Sequence, residues 1–593
     1  MSNTVSLCMI VKNEERFLPA CLKSIKDIVD EIILLDTGST DNTLSIAKSF
    51  GAIIHFYKWN NNFSDARNES LKYATKDWIL IMDGDDEFCS EDLETFKQLI
   101  NSELDENAVY FFETLNYGGN SINDNDICVN LNPRLFKNNH GFHYEGAVHN
   151  QLVNSLYSIQ DISCPIKIYH YGYLSDVMAS KQKRSRNIPL LEEQLKQDPE
   201  NKYAHFNLAN EYYSEDNYSK ALEHYNKAFE NFNPNSGYGF ILIARIVVTA
   251  YTLGQYDKAL EIADIGINYY PQFTDLYYLK SLVYNRRNMP TLEISTLEKC
   301  IELGDPPLDY RFIYGTGSFK AHYDLANVYM RLKDYDSAYN CYIDTIRSKP
   351  DFISPVYHIG HILREKNTAA DEFKKTLESF FADYPKAYQI LADISYFESH
   401  YDIALEYIKK CEGSGMIGEN LMLLKARALL RTGAFDQCLE QTSIQKDSSF
   451  YFIFSMYKTL SSLLIGNYAS SKSIIESFEI DSLSDYNKKM LQVYTQLTKL
   501  FTTEDTEVIS EDEKEKEYTP IIFEICEILL INKRYDEFER ALGLLNLISD
   551  KSVLLELGKL YNKYGFKDLA KKEIIRSIKE FEIYDTDGLD ILR

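Results

Sequence analysis

The stretch Trp78-Ile79-Leu80-Ile81-Met82-Asp83-Gly84-Asp85-Asp86 decides how the first part of this chain is read. Five consecutive apolar residues bounded by polar ones are the signature of a strand buried on both faces. The run ends abruptly in carboxylates, with Gly84 keeping the turn open. An acidic pair separated by one residue at the end of a buried strand can serve a sugar hydroxyl and a divalent cation together. Upstream, Val5–Val11 and Glu31–Asp36 read as strands and Ala52–Phe56 as a third. Leu18–Ile28, Thr43–Phe50 and Ser64–Thr75 read as the helices between them, with Asp41 placed to cap the second. Strand and helix alternating in this way predict a parallel sheet covered by helices on both faces. Ligands bind such sheets beyond the carboxyl ends of the strands. Those ends carry Lys12-Asn13-Glu14, Asp36 and Asp83-Gly84-Asp85-Asp86.

From about residue 200 the grammar changes. Leu208-Ala209, Tyr212, Ala221, Tyr225 and Ala228, followed by Pro234, give the small-and-aromatic pattern of a tetratricopeptide helix pair. The pattern returns around Ala259, Ala326 with Tyr342, Ala392 with Ala404, Ala426, and Gly558 with Ala570. Such pairs bury their apolar faces only by stacking, which predicts a solenoid with a concave surface. The expected division is a sheet domain over 1–180, a linking helix over 181–200, repeats over 201–500, an acidic joint over 501–517 and further helical repeats over 518–593.

Composition narrows the partners. The 593 residues carry a formal charge of −26, which argues against nucleic acid or an anionic membrane surface. The ten cysteines are scattered without a C-x-x-C pair or regular spacing, so no disulfide framework is expected. The apolar run Val5–Val11 is too short for a signal core or a membrane span, and the expected compartment is the cytoplasm. One dense basic run, Lys181, Lys183, Arg184 and Arg186, stands out. It is read either as a solvated helix face or, at Arg186 above all, as a hold on a departing diphosphate.

Four ordered segments carry a resemblance. Ser6 to Glu14, Leu35-Asp36-Thr37-Gly38-Ser39-Thr40-Asp41-Asn42-Thr43, Ala66-Arg67-Asn68 and Asp83-Gly84-Asp85 together resemble the nucleotide-binding half of a family 2 glycosyltransferase of the GT-A fold. Trp59 to Asn68, Pro133-Arg134-Leu135-Phe136, Phe142 to His149 and His170-Tyr171-Gly172-Tyr173 are similar to the subset that joins this domain to tetratricopeptide repeats. Relatives often have Glu where this chain has Asn150. The resemblance implies that Glu14 and Asp36 contact base and ribose, that Arg67 lies near the nucleotide, and that Asp83 touches the ribose. It implies Asp85 as a ligand of Mn²⁺ or Mg²⁺ and suggests His170 as another, a neutral imidazole suiting that ion. Glu145 is the candidate general base, on the acceptor side of the cleft.

The function this implies is inverting, metal-dependent transfer of a sugar, GlcNAc or glucose, from a UDP-sugar to a protein or peptide selected by the repeats. Flagellin Ser or Thr is one expected acceptor. The alternatives are a peptide S-glycosyltransferase acting on bacteriocin precursors, a transferase acting on cell-surface glycans, and a non-catalytic scaffold with a relic transferase domain. Self-association through the repeats stays open.

Overall fold

The computed structural model describes residues 3–60, 62–122, 126–146, 150–175, 177, 184–381, 387–502 and 515–593. The chain forms two compact units, Met1–Pro355 and Val356–Arg593.

The first unit is built on an eight-stranded sheet. Its strands are β1 (Val5–Val11), β2 (Glu31–Asp36), β3 (Ile53–Phe56), β4 (Trp78–Ile81), β5 (Asp86–Phe88), β6 (Ala108–Tyr117), β7 (Ile127–Lys137) and β10 (Gln160–His170). A separate hairpin pairs β8 (Phe142–Glu145) with β9 (Gln151–Asn154). The order in the main sheet is β3-β2-β1-β4-β7-β6-β10-β5. The first four strands are parallel, as their apolar runs and intervening helices predict. Beyond β4 the sheet is mixed: β7 is antiparallel to both β4 and β6, while β10 runs parallel to β6. Leu7, Met9, Leu34 and Leu80 from the strands, with Met82 just after β4, pack with Leu18, Cys21 and Leu22 from the helix Leu18–Ile25 in one core.

Two pairings bring the site together. β1 pairs with β4, so the segment after Val11 and the turn after Met82 lie side by side. The three-residue β5 lies antiparallel to the end of β10, with Asp86 opposite His170. Residues 84 apart in sequence thus become neighbours through strand register.

Helix pairs follow the linking helix Arg184–Gln197. The first is Lys202–Ser214 with Tyr218–Phe229, where Leu208, Ala209, Tyr212, Ala221, Tyr225 and Ala228 are all buried. Asn201 and Asn217 cap these helices by accepting the amides of Ala204 and Lys220. The tight turns inside successive pairs of this unit use a left-handed residue, at Asp216, Gly254, Asn288 and Lys333. The loop before the helix Phe319–Arg331 reaches back to the sheet. The Val129 amide donates to Phe312 O (2.8 Å) and the Tyr314 amide to Ile127 O (3.1 Å). Arg311 pairs there with the buried Glu113 at 2.5 Å. The loop therefore continues the ladder along the part of β7 that extends past β4.

The second unit is helical throughout its described residues. Leu423, Ala426, Tyr457, Leu460, Tyr494, Ile522, Ile525 and Phe538 share its largest core, and the tight turn recurs at Ser399, Gly433, Gly466, Lys533 and Gly565. Among the described residues, no helix is long and apolar enough to cross a membrane.

Candidate functional site

The carboxyl ends of β1, β4 and β10 enclose one crevice. At its floor Asp86, fully buried, accepts three hydrogen bonds. These come from Arg134 Nη1 (2.8 Å), the Asp83 amide (2.8 Å) and His170 Nδ1 (2.8 Å). Arg134, itself buried, also donates to Ile81 O and to Thr114 Oγ1. A buried carboxylate is stable only when charge and hydrogen bonds balance it, and here both do. With Nδ1 committed to Asp86, the His170 ring turns Nε2 into the crevice, the arrangement that orients histidine ligands of metals.

Asp85 meets His170 there. Its Oδ1 lies 3.6 Å from Nδ1. A side chain at position 172 would place its β-carbon 2.6 Å from His170 Nε2 and 2.7 Å from Asp85 Oδ2, so only glycine leaves this space open. Two ligand atoms of suitable hardness thus converge on a cradle that a β-carbon would fill, and this donor set fits Mn²⁺ or Mg²⁺. Ligand atoms of Asp83, Asp86 and His170 also lie within 4.8 Å of one another. Both Asp86 oxygens are already taken by Arg134, His170 and the Asp83 amide, which suits Asp86 to positioning. Burial lowers the pKa of His170, but Asp86, Asp85 and Asp83 outweigh it and raise the value above the usual histidine range.

Asp83, one third exposed, pairs with Arg67 Nη2 at 2.8 Å. Burial pushes its pKa up, yet Arg67, Arg134 and His170 together hold it well below the usual carboxylate range. Arg67 also lies over the Tyr144 ring at 5.5 Å, and its Nε is buried without a partner among the described residues. Glu14 approaches from β1, its Cγ 2.8 Å from where a β-carbon on Gly84 would lie. Glycine at 84 is what lets the acidic turn pass this close to Glu14.

Glu14, Arg67, Asp83, Asp85 and His170 are therefore brought together, while Asp36 and Glu145 have partners of their own. Asp36, at the end of β2, accepts the amides of Gly38 (3.0 Å) and Ser39 (3.1 Å) and so shapes its own turn. Glu145 ends β8 with its side chain 67% exposed, 3.2 Å from His143 Nε2. The neighbouring Tyr144 is clasped by the Asn68 side chain, which donates to its carbonyl and accepts its amide. Arg186 lies on the helix Arg184–Gln197, but its side chain is outside the described residues, as are Lys181, Lys183 and His149. Sequence reasoning missed Asp86 and Arg134 as parts of the site. Asp86 directly follows the acidic pair and Arg134 was visible as a motif residue, but only strand register shows that they meet.

Residues 6–158 match the sequence model of Glycosyl transferase family 2, and residues 202–235 and 319–352 match tetratricopeptide repeat models. The chain is 31% identical over 266 residues to a TPR repeat-containing protein of Synechococcus elongatus, covering 43% of this chain and 64% of that one. It is 30% identical over 289 residues to the SPbeta prophage-derived glycosyltransferase SunS of Bacillus subtilis, covering 47% and 66%. An uncharacterized glycosyltransferase of Rickettsia typhi is 34% identical over 87 residues, 15% of this chain and 30% of that one. The chain thus spans just under two thirds of the length of the first two relatives.

Proposed function

We propose that this chain, in which a family 2 glycosyltransferase domain is joined to tetratricopeptide repeats, moves a sugar from a UDP-sugar to a protein or peptide acceptor. The observation that carries this reading is the convergence of Asp85 Oδ2 and His170 Nε2 beside Gly172, with Asp83 and Arg67 on the same wall.

In this reading Asp85 and His170 hold Mn²⁺ or Mg²⁺. The ion, when bound, supplies positive charge against the diphosphate that leaves. Asp86 and Arg134 fix the His170 ring, Asp83 and Glu14 face the nucleoside, and Arg67 adds a fixed cation behind Asp83. Asp36 holds the turn after β2 in shape for the base. Glu145, exposed beside His143, takes the proton of the acceptor hydroxyl as that oxygen bonds to the anomeric carbon with inversion. Arg186 is the residue we assign to the departing diphosphate, from its place in the basic run of the sequence. GlcNAc and glucose are the donors we favour, and Ser or Thr of a polypeptide such as flagellin the acceptor, recognised by the repeats. Ten cysteines without a disulfide among them suit a reducing compartment, which we take to be the cytoplasm.

The test is UDP release by the purified chain from a panel of UDP-sugars, with Mn²⁺ and then with a chelator. Release from one sugar that the chelator stops is the expected result. Neither release nor binding of any donor would leave a scaffold with a relic transferase domain.

A further inference from the structure

In a chain of net charge −26, two cations of the repeats make no ion pair with a described residue. Arg245, on the helix Gly239–Thr252, has its guanidinium carbon 5.0 Å from the centre of the Tyr213 ring and 5.1 Å from that of Phe312. These rings fix the guanidinium by cation–π attraction. Arg245 makes no side-chain hydrogen bond or ion pair with a described residue, and its Nε is buried without a partner. Lys320, on the helix Phe319–Arg331, likewise has no ion pair among the described residues. Burial holds its ammonium below the usual lysine range, against the pull of Asp126, Asp324 and Asp275.

Both cations flank the loop that meets β7: Arg245 lies over the Phe312 ring, and the Lys320 amide donates to Gly315 O at 3.0 Å. Both lower the charge-forming cost of Cys128 on β7. Burial holds the Tyr173 hydroxyl above the usual tyrosine range, against the pull of Arg245. The Tyr173 ring, half exposed, meets the His170 ring at 5.3 Å. Strand register sets Ile313, Cys128, Asn116 and His170 in one row across the sheet, so Arg245, held over the neighbouring Phe312 ring, shares that region of the sheet with the ion-binding cluster. Of the nearby carboxylates, Asp275 is committed to Phe312, Ile313 and Thr316, and Asp324 accepts from Tyr278 Oη at 2.7 Å. Neither forms an ion pair with Arg245. A planar guanidinium whose terminal N–H groups have no partner among the described residues matches a carboxylate, which it grips with two parallel hydrogen bonds.

We propose that Arg245, with Lys320 beside it, receives a carboxylate of the acceptor polypeptide and so selects acceptors with an acidic residue close to the modified one. This rests on the transferase reading above and names the acceptor class for it.

The test uses two short labelled peptides of glycine and alanine around a central serine, one with glutamate and the other with glutamine on either side of it. Binding to the full-length chain is followed by fluorescence anisotropy. The glutamate peptide should bind roughly tenfold tighter or more, the usual worth of a hydrogen bond to a charged group. Arg245→Met should erase that preference, Lys320→Met should reduce it, and Arg245→Lys should keep part of it. Equal affinities for the wild-type chain, or no binding of either peptide at millimolar concentration, overturn the proposal. So does a glutamate preference that Arg245→Met leaves intact. Binding is read without donor or metal, so absent UDP release would sink the transferase reading alone while the preference is judged separately.

Discussion

Asp86 and Asp275 are both fully buried carboxylates of the same compact unit, yet they are held in opposite ways. Asp86 sits between the Arg134 guanidinium and the His170 imidazole and also accepts the Asp83 amide. Asp275 accepts only neutral donors: the amides of Phe312 (3.0 Å) and Ile313 (2.7 Å) and the Thr316 hydroxyl (2.5 Å). Burial raises Asp275 to about 7 despite those bonds and the more distant Lys320. Charge at the transferase site is thus locked by charge. The loop that joins the repeats to β7 hangs instead on a carboxyl group whose protonation is open to change.

The most severe way to break this contrast is Arg134→Met. Removing one partner of a buried pair leaves the other charge uncompensated, which costs about 3–5 kcal/mol. Denaturant unfolding should show a loss of that order, and UDP release should vanish as His170 loses its anchor. A stability change close to zero would mean that Asp86 does not depend on Arg134 for its charge.

Asp85→Asn sharpens the same contrast with a smaller and purely functional effect. Asp85 supplies an oxygen to the cradle beside Gly172 but takes no part in the Asp86–Arg134 pair. Metal-dependent UDP release should fall roughly a hundredfold or more, beyond the loss typical of a residue that only supports a metal ligand. The melting temperature should stay near that of the wild type. Full activity would remove Asp85 from the ion site.

How much of this was legible in the chain follows the range of the interactions. β1, β2, β4 and their helices were readable because each is specified by its own run of apolar residues, and the acidic pair because it ends such a run. Asp86 carries no such local signal, since β5 has three residues and its place opposite His170 depends on the distant strand Gln160–His170. Arg134 reads as a motif residue, but its contact with Asp86 depends on β7 entering the sheet antiparallel between β4 and β6. The repeats were legible through their small and aromatic positions, but not the turns inside the pairs. Asp216, Asn288 and Lys333 take the left-handed conformation that glycine would announce. The contact of Phe312 to Tyr314 with β7 has no local signature, because a few residues of loop complete a ladder begun almost 200 residues earlier.

The smallest of the predicted effects tests the other side of the comparison. Asp275 has a folded-state pKa of about 7 against an ordinary value of 3.8. Between these values the folded chain keeps a proton that the unfolded chain has lost, so stability falls as pH rises through that window and levels off above it. From pH 5 to 7 this amounts to about 2 kcal/mol, at 1.36 kcal/mol per pKa unit. Histidines whose folded pKa is lowered by burial, among them His224, His322 and His400, push the other way over part of the range. The useful measurement is therefore the difference between the wild type and Asp275→Asn. Asparagine can give its oxygen to the Phe312 and Ile313 amides and its NH₂ group to Thr316, as the protonated acid does, but cannot titrate. Denaturant unfolding at pH 5 and 7 should show the variant gaining on the wild type by about that amount. Equal slopes for the two proteins would mean that Asp275 is charged in the fold at both pH values. The repeat loop would then be as firmly locked as the transferase site, and the contrast between the two carboxylates would fail.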